Sequence, residues 1–208
     1  VITCPIAGFV AEERALKISI LESAGCGTYE TENFEKILIP VSNPETIEEL
    51  VNLSTIIKAK ENKTGLFAIN IISNNTTDAN AVKKAHKLMD KAVVTASSTD
   101  VYLNKLIRYD LNVINGITSV IREQRITDLV LGLHIKSGIT ESFLGYLVDE
   151  ILTKNNTTTF VYKPVQPIST IKRHIISMPK NAENEIGFAF WLQKIWNNGR
   201  NAGAKLIL

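Results

Sequence analysis

Residues 34–45 read FEKILIPVSNPE, and a similar run, IKRHIISMPKNAE, occupies residues 171–183. Each has a basic residue before a β-branched run, followed by a Pro/Ser/Asn turn and an acidic helix start. A strand that leads directly into a helix is typical of α/β domains. The spacing of roughly one domain length predicts a repeated unit whose second copy is only begun here. Because the chain starts at Val1 without Met, we expect it to be a fragment of a longer protein.

Apolar runs and helical patterns alternate along the rest of the chain. Strands are predicted at 37–41, 66–72, 101–109, 128–133 and 157–162, and helices at 44–60, 81–96, 115–124 and 143–152. This alternation predicts an α/β fold, an open parallel sheet with helices on both faces, plus the start of a second copy. We expect three parts: an N-terminal helical segment and linker (1–33), one full domain (34–164) and a partial second repeat (165–208).

Composition excludes several classes of function. The 208 residues include 23 basic and 21 acidic side chains, a net charge of +2, and no basic stripe with interleaved aromatics, so we expect no nucleic-acid partner. Cys4 and Cys26 lack CxxC spacing, and we expect no metal or redox site. Residues 1–11 are apolar but shorter than the roughly 18 residues of a membrane span. They predict either a short packed helix or the cytoplasmic end of a transmembrane helix.

Two loops of the predicted sheet are candidates for ligand binding. In open parallel sheets, ligands bind beyond the carboxyl ends of the strands, where the strand order reverses. One candidate loop follows Val41, and the other follows Leu133 within GLHIKSGITESFLGY, residues 132–146. A Gly/Ser-bearing loop between a strand and a helix can hold phosphate with its backbone N–H groups.

At these loops the chain resembles the universal stress protein (UspA-like) family over about residues 34–163. That family pairs a first strand ending in Pro-Val-Asp with a later Gly-x-His-Gly and a further Gly-Ser or Gly-Thr. Gly132, His134 and Gly145 match, and residues 136–138 look like the family's Arg-Ser-Gly. The resemblance implies the adenine-nucleotide-hydrolase-like fold and a nucleotide site at Val41, Ser42, Gly132, His134, Lys136, Ser137, Gly138, Gly145 and Tyr146.

Three departures from the family pattern predict a degenerate nucleotide site. Ser42 stands where nucleotide-binding members have an aspartate, Ile135 replaces the second glycine, and Tyr146 replaces the Ser/Thr. The branched Ile135 side chain restricts the backbone and blocks its approach to phosphate. We therefore expect no bound cofactor, with ATP or another adenine nucleotide as the open alternative. Because no P-loop or catalytic constellation is present, we expect no enzymatic activity.

A subset of the family resembles this chain more fully: UspA-like domains at the C-terminus of bacterial cation/proton (Na+/H+) antiporters of the monovalent cation:proton antiporter-2 type. The shared features are an apolar Thr-Cys-Pro-Ile segment at residues 3–6, a charged helix, a linker and FEKILIPVSNPE. The resemblance implies a non-catalytic regulatory or dimerisation domain at the cytoplasmic face of the inner (plasma) membrane, joined to a membrane-embedded antiporter domain. The alternative is a soluble tandem universal stress protein that binds ATP or a related nucleotide.

Two further predictions concern packing and assembly. The aromatic residues of 188–196 lie at helical spacing, and a core face including Trp191 and Trp196 is the simplest interpretation, with a partner surface as the alternative. The threonine-rich strand at 157–162 reads as a sheet edge, and we expect it to pair with its copy in a homodimer.

Overall fold

The computed structural model describes residues 35–74, 80–133, 146–155, 157–185 and 187–207. Along them lie β1 (Ile37–Pro40), α1 (Ile47–Ile57), β2 (Leu66–Ser73), α2 (Ala81–Ser97), β3 (Leu103–Asp110), α3 (Val113–Gln124), β4 (Asp128–Gly132), α4 (Tyr146–Lys154) and β5 (Thr158–Tyr162). They are followed by β6 (Arg173–Ile175), α5 (Phe188–Ala202) and β7 (Lys205–Ile207), with 3-10 turns at Ile168–Thr170 and Ala182–Asn184. None of the described helices is both long and apolar enough to cross a bilayer.

The first nine elements form a five-stranded sheet of order β3-β2-β1-β4-β5 with its covering helices, which we call the first unit. All four pairings are parallel, and β1 is central: Leu38 lies opposite Phe67 of β2 and opposite Leu129 of β4. Ile37 to Ile39 are fully inaccessible to solvent, as expected for a parallel strand covered on both faces. The predicted open parallel sheet is confirmed.

Helices cover both faces of this sheet and make two apolar cores. On the face of α1 and α2, Ile37 and Met89 are fully buried. On the face of α3 and α4, Leu38 and Ile117 are fully buried. Ile37 and Leu38 are neighbours in β1 yet belong to different cores, because successive side chains of a strand point to opposite faces. One short strand therefore contributes to both cores.

The start of α1 differs from the sequence prediction. The pattern predicts a helix from Pro44, but Pro44 to Thr46 form a turn and α1 begins at Ile47. The Asn43 side chain accepts a hydrogen bond of 2.9 Å from the Glu45 N–H, so the turn is closed by an Asx interaction before the helix begins. The helix predicted at 143–152 is seen from Tyr146 to Lys154, and residues 143–145 lie outside the described residues.

β3 and β5 occupy the two edges of the sheet. Along β5 the side chains from Thr159 to Tyr162 are buried, and only Thr158 is partly accessible. Pairing of residues 157–162 with a second copy of the chain stays a prediction.

The aromatic residues of α5 do not share one buried face. Trp191 is 8% exposed and packs edge-on against Phe188, with ring centroids 5.4 Å apart, whereas Trp196 is 66% exposed. Residues five positions apart are separated by about 140° around a helix, so these two indoles point in different directions. The prediction of a core position is therefore wrong for Trp196.

β6, α5 and β7 form a small second unit with the same order as β1, α1 and β2. β6 and β7 are parallel, with His174 opposite Leu206 and Ile175 opposite Ile207, and α5 lies between them in sequence. Gly199 lets α5 approach this sheet closely, because a Cβ there would lie 2.6 Å from Leu206 Cγ. The domain boundaries at 1–33, 34–164 and 165–208 stay predictions.

The second unit is attached to the first through the end of α1. The Asn197 side-chain amide donates to the Ile57 carbonyl at 3.1 Å. The Asn201 amide donates to the carbonyls of Ile56 at 2.7 Å and Lys58 at 3.2 Å. The last carbonyls of a helix lack partners within it, so α5 supplies donors that α1 itself cannot provide.

A buried ionic group continues this attachment at the amino ends of β1 and β4. Lys194 of α5 forms an ion pair with the Glu35 carboxylate, and its Nζ lies 3.4 Å from Asp128 Oδ2. The Asn62 amide donates to Glu35 Oε2 at 2.9 Å, and the Ala59 N–H donates to the same oxygen at 3.0 Å. We call Glu35, Asn62, Asp128 and Lys194 the Lys194 cluster.

Burial on its own would raise the pKa of Glu35, but its partners reverse this effect. The Lys194 ammonium and the hydrogen bonds from Lys194, Asn62 and the Ala59 N–H lower the pKa of Glu35 below its ordinary value of 4.5. The carboxylate is therefore kept ionised in the folded chain. The cluster holds a charged pair between two parts of the sequence that lie 159 positions apart.

Replacing Lys194 with alanine should strongly destabilise the fold. The change leaves the carboxylates of Glu35 and Asp128 buried without their cation, which costs about 3 kcal/mol in comparable sites. The free energy of unfolding in urea measures this loss. Gln193→Ala, an exposed position one residue away, is the matched control and should change the same quantity by less than about 0.5 kcal/mol. Equal effects of the two changes would contradict the account of the cluster.

Acid should also weaken the Lys194 cluster. Because the folded pKa of Glu35 lies below the unfolded value, its contribution to stability is present above about pH 4.5 and is lost as the pH falls through the lowered pKa. We expect the free energy of unfolding to fall more steeply with acid in the wild type than in Glu35→Gln. Burial also lowers the pKa of His174, so acid reduces the free energy of unfolding through this residue too, but by the same amount in both proteins. Parallel profiles below pH 4.5 would argue against the prediction.

Candidate functional site

The strand order places the candidate site between the carboxyl ends of β1 and β4. β1 is followed in sequence by its neighbour β2, while β4 lies on its other side, so the direction of connection reverses between β1 and β4. A crevice for ligands opens at such a reversal. β1 and β4 are paired in parallel from Ile37 and Asp128 onward, and Val41, Ser42 and Gly132 therefore share this end of the sheet.

Val41, the residue after β1, has both backbone polar groups engaged within the protein. Its N–H donates to the Ile69 carbonyl at 2.8 Å. Its carbonyl accepts a 2.7 Å hydrogen bond from the Asn70 side-chain amide. The N–H is thus already paired, and the carbonyl keeps one lone pair for any ligand.

The loop after Val41 is held in place by α2. Lys91 donates to the Pro44 carbonyl at 3.0 Å and pairs with Glu48 at 2.9 Å. The Ser42 side chain is exposed, and Asn43 is engaged in its Asx turn. Ser42 therefore carries a hydroxyl where the family resemblance implies an aspartate. It lies on a loop that Lys91 of α2 holds in place.

An apolar contact lies at the carboxyl end of β4. Gly132 packs against the buried Leu50 of α1, and a Cβ at Gly132 would lie 3.1 Å from Leu50 Cδ1. A side chain at this position would therefore force Leu50 to shift by a few tenths of an ångström. Leu50 itself is buried in the core on the face of α1 and α2.

Most of the second predicted loop lies outside the described residues. This holds for His134, Ile135, Lys136, Ser137, Gly138 and Gly145, while Tyr146 is described only as the first residue of α4. The structure thus brings together Val41, Ser42 and Gly132 of the nine residues implied by the resemblance. The roles of all nine stay predictions.

Sequence reasoning missed Asn70, which fixes the Val41 carbonyl. The available signal was a single amide side chain within the apolar run of β2, but nothing in the sequence shows which carbonyl it reaches. Within the described part of the chain, no group of three or more His, Cys, Asp and Glu side chains is arranged to hold a metal ion.

Comparison with known proteins finds similarity in solved structures. No family model matches the chain, and no curated protein matches it. The structure of the hypothetical protein MJ0577, described as a structure-based assignment of biochemical function, has a TM-score of 0.54 at 16% identity, covering 64% of this chain and 98% of that one.

Two universal stress proteins are also similar. One, from Archaeoglobus fulgidus in complex with dAMP, has a TM-score of 0.47 at 12% identity and covers 61% of this chain and 96% of its own. Another, in complex with cAMP, has a TM-score of 0.48 at 12% identity and covers 62% and 96%. Both of these scores lie below 0.5, and at 16% identity the likeness to MJ0577 shows the fold alone.

Removing the Asn70 amide should destabilise the end of β1. Asn70→Ala deletes the 2.7 Å hydrogen bond to the Val41 carbonyl and should lower the free energy of unfolding by about 1 kcal/mol. Asn70→Asp keeps the shape but offers only acceptors to the carbonyl, so it should cost at least as much. Urea unfolding of the three proteins measures both changes. An Asn70→Asp protein as stable as the wild type would show that the contact is incidental.

Proposed function

We propose that this chain is a non-catalytic regulatory or dimerisation domain of a bacterial sodium(cation)/proton antiporter, with a degenerate nucleotide site. Its partner is the membrane-embedded antiporter domain of the same polypeptide, and its place is the cytoplasmic face of the inner membrane. The domain is of the universal stress protein type, acts as a homodimer and takes no cofactor. The support is the resemblance of residues 3–6 and 34–45 to that antiporter subset, together with the missing carboxylate at Ser42 and the paired backbone of Val41.

One observation carries the degenerate site: at the described carboxyl ends of β1 and β4, the Val41 backbone is paired within the protein and position 42 carries no carboxylate. Leu50 lies against Gly132, and Val41 uses its N–H for Ile69 and its carbonyl for Asn70. A nucleotide there would meet a hydroxyl and no carboxylate at Ser42. The missing carboxylate removes an acceptor for an adenosine or ribose donor, which supports a role other than nucleotide binding.

The contacts of α1 support a regulatory role. Its first turn adjoins the crevice and is held by Lys91 through Glu48 and the Pro44 carbonyl. Its last carbonyls accept hydrogen bonds from Asn197 and Asn201 of the second unit. A structural change at one end of α1 can be transmitted along the helix to the contacts at its other end. This arrangement suits a domain that conveys a signal rather than one that performs chemistry.

A soluble tandem universal stress protein that binds ATP is the second candidate. It is favoured by Gly132 at the end of β4 and by the repetition of the β1-α1-β2 order in β6, α5 and β7. The gene upstream of Val1 separates the candidates. Several hydrophobic spans there support the antiporter, whereas a start codon close to Val1 supports the soluble protein.

Calorimetric titration of the chain with ATP tests the degenerate site. We expect no micromolar binding, because Ser42 replaces the carboxylate of the nucleotide-binding pattern and the branched Ile135 stands where that pattern has glycine. The double variant Ser42→Asp, Ile135→Gly returns both features of the nucleotide-binding pattern and is the matched control. Micromolar binding by the wild type would refute this part of the proposal while leaving the antiporter connection to be judged from the gene.

A further inference from the structure

His174 lies in the interior of the second unit. It is the middle residue of β6, opposite Leu206 of β7, and its neighbours Arg173 and Ile175 point to the other face of this small sheet. Leu206 adjoins Gly199 of α5, so the His174 side of the sheet is the side that α5 covers. The His174 side chain is only 6% exposed. The imidazole is therefore enclosed beneath the helix that attaches the second unit to the first.

The surroundings of His174 favour its neutral form. Its Nε2 is buried and has no hydrogen-bond partner among the residues that the structure describes. A protonated imidazole carries an N–H on each ring nitrogen, so protonation would leave a charged donor at Nε2 without an acceptor. Burial accordingly lowers the pKa of His174 below its ordinary value of 6.5.

The charges of the second unit also oppose a further positive charge. The charged side chains of β6, α5 and β7 are all cations: Arg173, Lys194, Arg200 and Lys205. Lys194 points to the first unit, where it pairs with Glu35, and the other three are exposed. Glu183 and Glu185, in the segment before α5, are exposed as well, and water screens their charge. The three elements that enclose the imidazole thus supply no carboxylate to pair with protonated His174.

α5 both covers His174 and attaches the second unit to the first. Its Asn197 and Asn201 amides donate to the last carbonyls of α1. Its Lys194 pairs with Glu35 at the amino end of β1. These side chains reach their partners only while α5 keeps its place on β6 and β7. A change that separates α5 from His174 therefore also acts on the attachment of the two units.

We propose that His174 is an acid-sensitive switch between the two units. Neutral His174 lets α5 lie on β6 and β7. Protonation opens the second unit and withdraws Asn197, Asn201 and Lys194 from their partners in the first. The first unit stays folded, because its five-stranded sheet has two cores of its own. This inference does not depend on the proposed function.

The direction of the pKa shift sets the pH range of this opening. In the open unit His174 meets water and has its ordinary pKa of 6.5, whereas the closed unit holds it lower. The open form therefore binds more protons, and opening becomes more favourable as the pH falls below about 6.5. One such proton increases the open population by up to about tenfold between about pH 7.5 and about pH 5.5. The Glu35 carboxylate responds only below about pH 4.5, so the two effects are separate.

Hydrogen–deuterium exchange of the full chain at about pH 7.5 and about pH 5.5 tests the proposal, with rates corrected for the intrinsic effect of pH on amide exchange. We expect α5 to be less protected than β1 and β2 at both values, and its protection to fall by up to about tenfold at the lower one. His174→Gln and His174→Leu, which stay neutral, should remove this fall. His86→Gln, at an exposed histidine of α2, is the matched control and should keep it. His134 is unchanged in every protein compared.

Three exchange results would overturn the proposal. They are equal protection of α5 at the two pH values, the same fall in the His174 variants as in the wild type, or equal protection of α5 and β1, which would mean that α5 opens only when the whole chain unfolds. If both variants leave α5 unprotected at the higher pH, the wild type decides through the ring signals of His174 in nuclear magnetic resonance. These signals should titrate in step with the protection of α5, and a midpoint at or above the ordinary value of 6.5 would contradict the switch.

Discussion

The parallel pairing of β1 with β4 is the constraint on which the rest of the structure depends. It places the two strands at the reversal of strand order, and it sends α1 across the end of β4 so that Leu50 lies against Gly132. The same pairing puts Glu35 and Asp128 side by side at the opposite end, where Lys194 joins them. The contact of Leu50 with Gly132 and the attachment of the second unit both follow from this one strand pair.

Sequence patterns predict the alternation of strands and helices well, because local periodicity records which face of each element is buried. The apolar run of β1 and the helical spacing of α1 belong to this class. Helix starts are less predictable, since the Asx interaction of Asn43 competes with helix formation over only a few residues. The exposed Trp196 shows the same limit: an apolar side chain at nearly helical spacing need not lie on the buried face.

Contacts between distant residues could not be predicted from local pattern. Lys194 reads as an ordinary helix lysine, and Glu35 as the acid before a strand, until the fold brings them together across 159 positions. The role of Asn70 is equally unpredictable from the sequence, since it depends on which carbonyl lies beside its side chain. Motifs predict which positions form the candidate site, but the packing around those positions depends on residues such as Leu50 that no motif includes.

The central claim is that the space between β1 and β4 does not accept a triphosphate. A crystal structure of the chain grown with millimolar ATP tests it most directly. The account predicts Leu50 in contact with Gly132, the Asn70 amide on the Val41 carbonyl and no nucleotide between the two strands. An ordered ATP molecule seated there, with its phosphates held by the loop after β4, would contradict it.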